Sequence, residues 1–211
     1  MSVGKAKVPR QPPPEAAVTA ADIHVTKPSL LWRIHVVEGV FSARWDGFRT
    51  LGPLASRWDP HPEPYGDHTP VGVLYAGLDL ATCCAEVFQG ARVVAATSRL
   101  ALTGWRPTRA LRLLDLTGRW PVRNGAAASL HAAPRSTTRG WARWVAARHP
   151  SVDGLYVRST MTGDPMVVLF APAAIDSMPA LPSFTRRLSH PALAPYLTAS
   201  AAALRWGYRG S

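Results

Sequence analysis

Lysine, glutamate and cysteine are scarce in this 211-residue chain, and each shortage narrows what the protein can be. The two cysteines, Cys83 and Cys84, are adjacent. Neighbours cannot staple distant segments and lack the spacing of a zinc knuckle, which argues against a disulfide scaffold. No apolar run approaches the roughly 20 residues of a membrane-spanning helix, and the N-terminus lacks the apolar stretch of a signal peptide, so a cytoplasmic location is expected. GxGxxG, P-loop, GxSxG, HExxH and paired CxxC patterns are absent. That weighs against dinucleotide oxidoreductases, P-loop NTPases, common hydrolases and zinc enzymes.

What is present is arginine. Lys+Arg number 24 against 13 Asp+Glu, a net charge of +11, and only Lys5, Lys7 and Lys27 are lysines. Leaving out the first 28 residues still leaves +9, so the excess belongs to the body of the chain. Arginine suits bidentate phosphate contacts. It is spread along the whole chain with no basic helix or RNP-like strand, which disfavours a nucleic-acid-binding module. The acids are nine Asp and only four Glu (Glu15, Glu38, Glu63, Glu86), so each Glu is a candidate for chemistry. Length and a hydrophobic fraction of 47% fit one domain with its own core.

Pro9, Pro12, Pro13, Pro14 and Pro28 mark residues 1–28 as a flexible Pro/Ala-rich tail ahead of a domain over 29–211. Leu30–Val37 alternates as a strand with Arg33 and His35 on one face. Residues 38–70 hold many Gly and Pro and read as a long loop. Its His61 and His68, with Asp59, Glu63 and Asp67, are read as solvated in preference to a metal site. Val71–Ala76 reads as a strand. Asp79 then caps a helix with an apolar stripe of Leu80, Cys83, Cys84, Val87 and Phe88, ended by Gly90. Glu86 falls off that stripe, placed to line a cleft. Further strands are expected at 92–96, 110–116, 154–159 and 166–170, and helices at 137–148 and 192–204. The irregular interleaving favours an α+β fold.

Four segments stand in order: Leu31-Trp32-Arg33-Ile34, Ser56-Arg57-Trp58-Asp59-Pro60, Val73-Leu74-Tyr75-Ala76 and Ala85-Glu86-Val87. With Asp153-Gly154-Leu155-Tyr156-Val157-Arg158-Ser159 they make the chain similar to the RES domain family, named for its Arg, Glu and Ser, over residues 29 to 171 at least. The resemblance implies a compact ADP-ribosyltransferase-like fold with a mixed, largely antiparallel sheet and flanking helices. It implies a toxin that cleaves the nicotinamide–ribose bond of NAD by hydrolysis or phosphorolysis, or that transfers ADP-ribose to a protein. NAD is then the substrate, with inorganic phosphate one of the candidate co-substrates and no metal needed. The implied partner is an Xre-type antitoxin that blocks the pocket. Self-association is left open, no membrane is involved, and nucleic acid is reached only through the antitoxin.

By matching motifs, Arg33 and Arg57 would fork the pyrophosphate and Tyr75 would stack on nicotinamide. Glu86 would stabilise the oxocarbenium-like transition state, with Arg33 and Ser159 beside it in the catalytic set. Ser159, or alternatively Ser136, would orient the ribose or the glutamate by hydrogen bonding. Where some members carry Tyr after the first Arg this chain has Ile34, and His35 would substitute as a ribose or phosphate contact. An inactive relative that keeps the fold as a partner-binding scaffold is the remaining alternative.

Overall fold

Short runs of β-branched and aromatic residues recur from Ile23 onward, and the computed structural model, which describes residues 8–27 and 29–210, turns them into strands. In chain order these and the helices are β1 (Ile23–Thr26), β2 (Leu31–Val36), β3 (Leu51–Gly52), β4 (Gly66–Asp67), β5 (Gly72–Gly77), α1 (Leu80–Phe88), β6 (Val93–Ala95), β7 (Leu100–Trp105), β8 (Leu111–Asp115), α2 (Trp120–Arg123), α3 (Arg135–Arg148), β9 (Gly154–Arg158), β10 (Pro165–Ala171), β11 (Phe184–Arg187), α4 (Ala194–Ala203) and β12 (Gly207–Arg209). Eight strands form one sheet in the order β1-β8-β9-β10-β5-β2-β7-β11. Within it only β8 and β9 run parallel, so the expected α+β class with a largely antiparallel sheet holds. β6 pairs with β12 in a small parallel sheet, and β3 with β4 in an antiparallel one.

The sheet is buried on both faces, as the near-continuous apolar runs of β5 and β10 require. Met166, Val168 and Phe170 of β10 point to a core shared with Trp141, Trp144 and Val145 of α3. Val167 and Leu169 point the other way, to Leu31, Trp105, Leu111 and Leu113. α1 sets Cys83 and Cys84 against Leu193, Leu197 and Ala201 from the C-terminal helix region. Its Val87, expected on the buried stripe, is 42% exposed instead.

Residues 8–27 are not the flexible tail that their composition suggests. They form a strap over α2 and α3 that ends in β1, an edge strand on β8. The indole nitrogen of Trp141 donates to the Pro9 carbonyl at 2.9 Å, and that of Trp120 to the Ala17 carbonyl at 2.8 Å. Asp22 pairs with Arg123, and Val8, Ala16, Val18 and Ile23 pack on the core. Gly140 makes the crossing feasible, because a Cβ there would overlap the Arg10 carbonyl oxygen. Pro9, Pro12, Pro13 and Pro14 have no N–H to donate, yet the carbonyls of Pro9 and Ala17 accept from side chains. The expectation for residues 1–7 and Pro28 lies outside the described residues.

Candidate active site

The helix α1 starts where Asp79 accepts a hydrogen bond from the Thr82 N–H at 2.7 Å, satisfying one free donor of its first turn. Seven residues on, Glu86 emerges off the buried stripe, half-exposed and beside the turn that joins β9 to β10. There the Ser159 hydroxyl donates to Glu86 Oε1 at 2.6 Å. The same Oγ accepts from the Met161 N–H at 3.0 Å and the Thr162 N–H at 3.2 Å. Both lone pairs of the hydroxyl are thereby engaged, so its proton is directed at the carboxylate. Glu86 Oε2 makes no hydrogen bond among the described residues.

Opposite Glu86, the loop before β5 turns Arg57 inward. Trp58, buried and 5.6 Å from the His131 ring, sits in the left-handed region at φ 59°. A bulky side chain there costs about 1–3 kcal/mol, which the surroundings must outweigh. They do so through Asp59, which accepts from the N–H groups of Leu54 and His61, the His61 ring at 2.5 Å and the Arg49 guanidinium at 2.9 Å. Burial pushes the Asp59 carboxyl up, but these donors outweigh it and hold the group below its ordinary value. Asp59 and His61 are fully buried, so the reading of this pair as solvated is corrected. The twist lets Arg57 face the cleft while its backbone carbonyl accepts from the Tyr75 hydroxyl at 2.8 Å and its Nη1 donates to the Ala133 carbonyl. Burial drives the Tyr75 phenol far above its usual range, so it stays a neutral donor.

The result is a cleft of two lobes that share Tyr75, Glu86 and Met166. One lobe, of about 310 Å³, is lined by Arg57, Arg135, Arg158, Gln89, Ser56 and Thr160. The other, of about 210 Å³, is lined mainly by Trp32, Ile34, Ala76, Cys83 and Val87, with Arg33 at its wall. A cationic chamber and an apolar one therefore meet at a single carboxylate.

Not every candidate converges here. Arg33 reaches the apolar lobe, but its Nη1 is committed to the carbonyls of Arg44, Trp45 and Gly47, which pins the β2–β3 loop. Burial pushes its guanidinium down to about 10. The proposed ligand contact by His35 is corrected: its ring bonds the Ala43 carbonyl at 2.9 Å and the Thr103 hydroxyl at 3.0 Å, buried behind that same loop and away from the cleft lining. Ser136 lies exposed on the first turn of α3 and does not line the cleft, although its neighbour Arg135 does. Arg135, Arg158 and Gln89 were not among the sequence candidates. Arg158 immediately precedes Ser159 and shares its motif, whereas nothing local distinguishes Arg135 from the chain's other arginines.

Residues 30–189 match the RES domain. The chain belongs to the RES domain family. In solved structures, this RES domain chain is similar to one from the MbcT–MbcA toxin–antitoxin complex of M. tuberculosis, with a TM-score of 0.55 and 19% sequence identity. The likeness covers 85% of this chain and 93% of that one, and at this identity it is a likeness of fold. No curated protein sequence matches the RES domain chain. Its strap and α4 both lie outside the matched residues.

Proposed function

We propose that this RES domain protein is a toxin that breaks the nicotinamide–ribose bond of NAD, and that an antitoxin protein silences it by covering the cleft. The observation that carries this reading is the placement of Glu86 between an apolar lobe and a cationic lobe, with its carboxylate oriented by Ser159. NAD has the matching polarity: a flat ring on one side of the scissile bond and a pyrophosphate on the other. With the ring in the apolar lobe against Tyr75 and the phosphates near Arg57, the ribose C1′ falls at Glu86.

As the C1′–N bond lengthens, nicotinamide leaves with the bonding electron pair and positive charge develops on the ribose. A fixed carboxylate in a partly desolvated cleft stabilises that charge more than it stabilises the ground state. Ser159 contributes by holding Glu86; with its lone pairs on two backbone N–H groups, it is a positioning residue and not a nucleophile. Water, phosphate or a protein side chain then adds to C1′ and loses a proton. Family membership, and a fold shared with a chain of a toxin–antitoxin complex, support the toxin role.

The test is incubation of the purified protein with NAD, with and without phosphate, followed by product analysis. Nicotinamide release is expected, with ADP-ribose, ADP-ribose-1″-phosphate or a modified protein identifying the acceptor. Glu86→Gln should slow release at least about 100-fold, in line with loss of a transition-state electrostatic contact. A folded, antitoxin-free wild type that leaves NAD intact overturns the proposal.

A further inference from the structure

We infer that Arg135 and Arg158, together with Arg57, form a dedicated site for a diphosphate group, and that this site makes the protein selective for substrates carrying two linked phosphates over those carrying one or none. The inference rests on the NAD reading of the same cleft and adds to it residues and a specificity that the motifs do not supply.

Three arginines line one chamber of about 310 Å³ in which Glu86 is, among the described residues, the only acidic one in the lining. Five of the arginines described elsewhere pair with carboxylates: Arg44 with Asp46, Arg49 with Asp59, Arg109 with Asp153 and Asp176, Arg123 with Asp22, and Arg187 with Glu38. Among the described residues, none of the three cleft arginines has such a partner. Arg57 uses one nitrogen on the Ala133 carbonyl, Arg158 uses one on the Gly163 carbonyl at 3.1 Å, and Arg135 makes no side-chain hydrogen bond among the described residues. Burial pushes the Arg57 guanidinium below its usual value, and the like charge of Arg135 adds to that while Glu86 opposes it. Three arginines around one carboxylate, which is itself held by Ser159, leave an excess of positive charge that an anion would complete.

The elements make the convergence deliberate. Arg57 comes from the loop braced by Asp59, Arg135 from the first turn of α3, and Arg158 from the end of β9 one residue before Ser159. Arg158 and the positioning serine are therefore fixed by one turn, so an anion gripped by Arg158 is held in register with Glu86. Three guanidinium forks carried on three separate elements suit an anion that spreads its terminal oxygens over more than one centre, and two linked phosphates do so. Arg33, held by three loop carbonyls, is not needed in this set.

The experiment measures inorganic pyrophosphate and inorganic phosphate binding by calorimetry, and turnover of NAD against nicotinamide mononucleotide, in wild type, Arg135→Gln, Arg158→Gln and the double variant. Pyrophosphate should bind more tightly than phosphate to the wild type, and each single variant should weaken it about tenfold. The same variants should raise KM for NAD far more than they lower kcat, and should narrow the preference for NAD over the mononucleotide. Arg→Lys at either position, which keeps the charge without the fork, should restore binding only in part. Equal pyrophosphate binding by wild type and double variant, or none by either, overturns the inference. Pyrophosphate binding that is lost in the double variant, beside a wild type that leaves NAD intact, sustains the anion site and removes the NAD reading. NAD cleavage with an unchanged KM in the double variant does the reverse.

Discussion

Ser159 shows how much one hydroxyl can settle. With two backbone N–H groups on its oxygen, its only free direction is toward Glu86, so Ser159→Ala frees the carboxylate to rotate. A hydrogen bond to a charged group is worth about 1.5–3 kcal/mol, so kcat for NAD cleavage should fall roughly 10–100-fold with KM little changed. Steady-state kinetics with a circular dichroism control checks this, and an unchanged kcat would show that Glu86 holds its place unaided. Glu86 was legible in the sequence because glutamate is rare here and the helix period put this one off the core. Ser159 was legible through its motif, which already ranks it ahead of Ser136. Arg135 was not legible at all: its importance comes from α3 delivering it beside Arg57, 78 positions earlier in numbering, and no local pattern records such a meeting.

At the scale of elements, residues 58–61 act as a buried bracket inside the loop that its prolines suggest is solvated, while residues 62–65 stay exposed. Asp59 holds it, and because that carboxyl sits below its ordinary value when folded, its contribution is complete above the unfolded value near 4 and fades as pH falls through the folded one. Thermal melts across that acid range should show wild-type stability dropping. Asp59→Asn should already be about 3 kcal/mol less stable at pH 7 and should lose less than wild type over the same range, the remaining loss coming from Asp22, Asp46, Asp67 and Asp176, whose carboxyls are also held below their ordinary value. A variant that keeps the wild-type acid profile would place the titration elsewhere. The strands β2, β5, β8, β9 and β10 and the helices α1, α3 and α4 follow from periodicity to within a few residues. β7 does not, and the reason is local: Gly104 looks like a break, yet it lies opposite Trp32, whose ring would collide with any Cβ there. The glycine is a seat for a cross-strand indole, which reads as a turn signal until the partner strand is known.

At the scale of the whole molecule, parts outside the family match brace the parts inside it. α4 backs the face of α1 opposite Glu86, and the strap backs α3, whose first residue is Arg135. Deleting residues 1–28 removes two indole hydrogen bonds, the Asp22–Arg123 pair and the β1 ladder. The truncated protein should be about 2–4 kcal/mol less stable and melt roughly 5–15 °C lower, measured by calorimetry. An unchanged melting temperature would mean the strap contributes nothing. The strap has a further use as an optical gauge. Trp120 and Trp141, stacked edge-on at 5.7 Å, each place the indole N–H under a strap carbonyl, so their emission reports whether that cover is seated. A red shift without loss of sheet signal would time the lifting of the strap, separately from the unfolding of the domain beneath it.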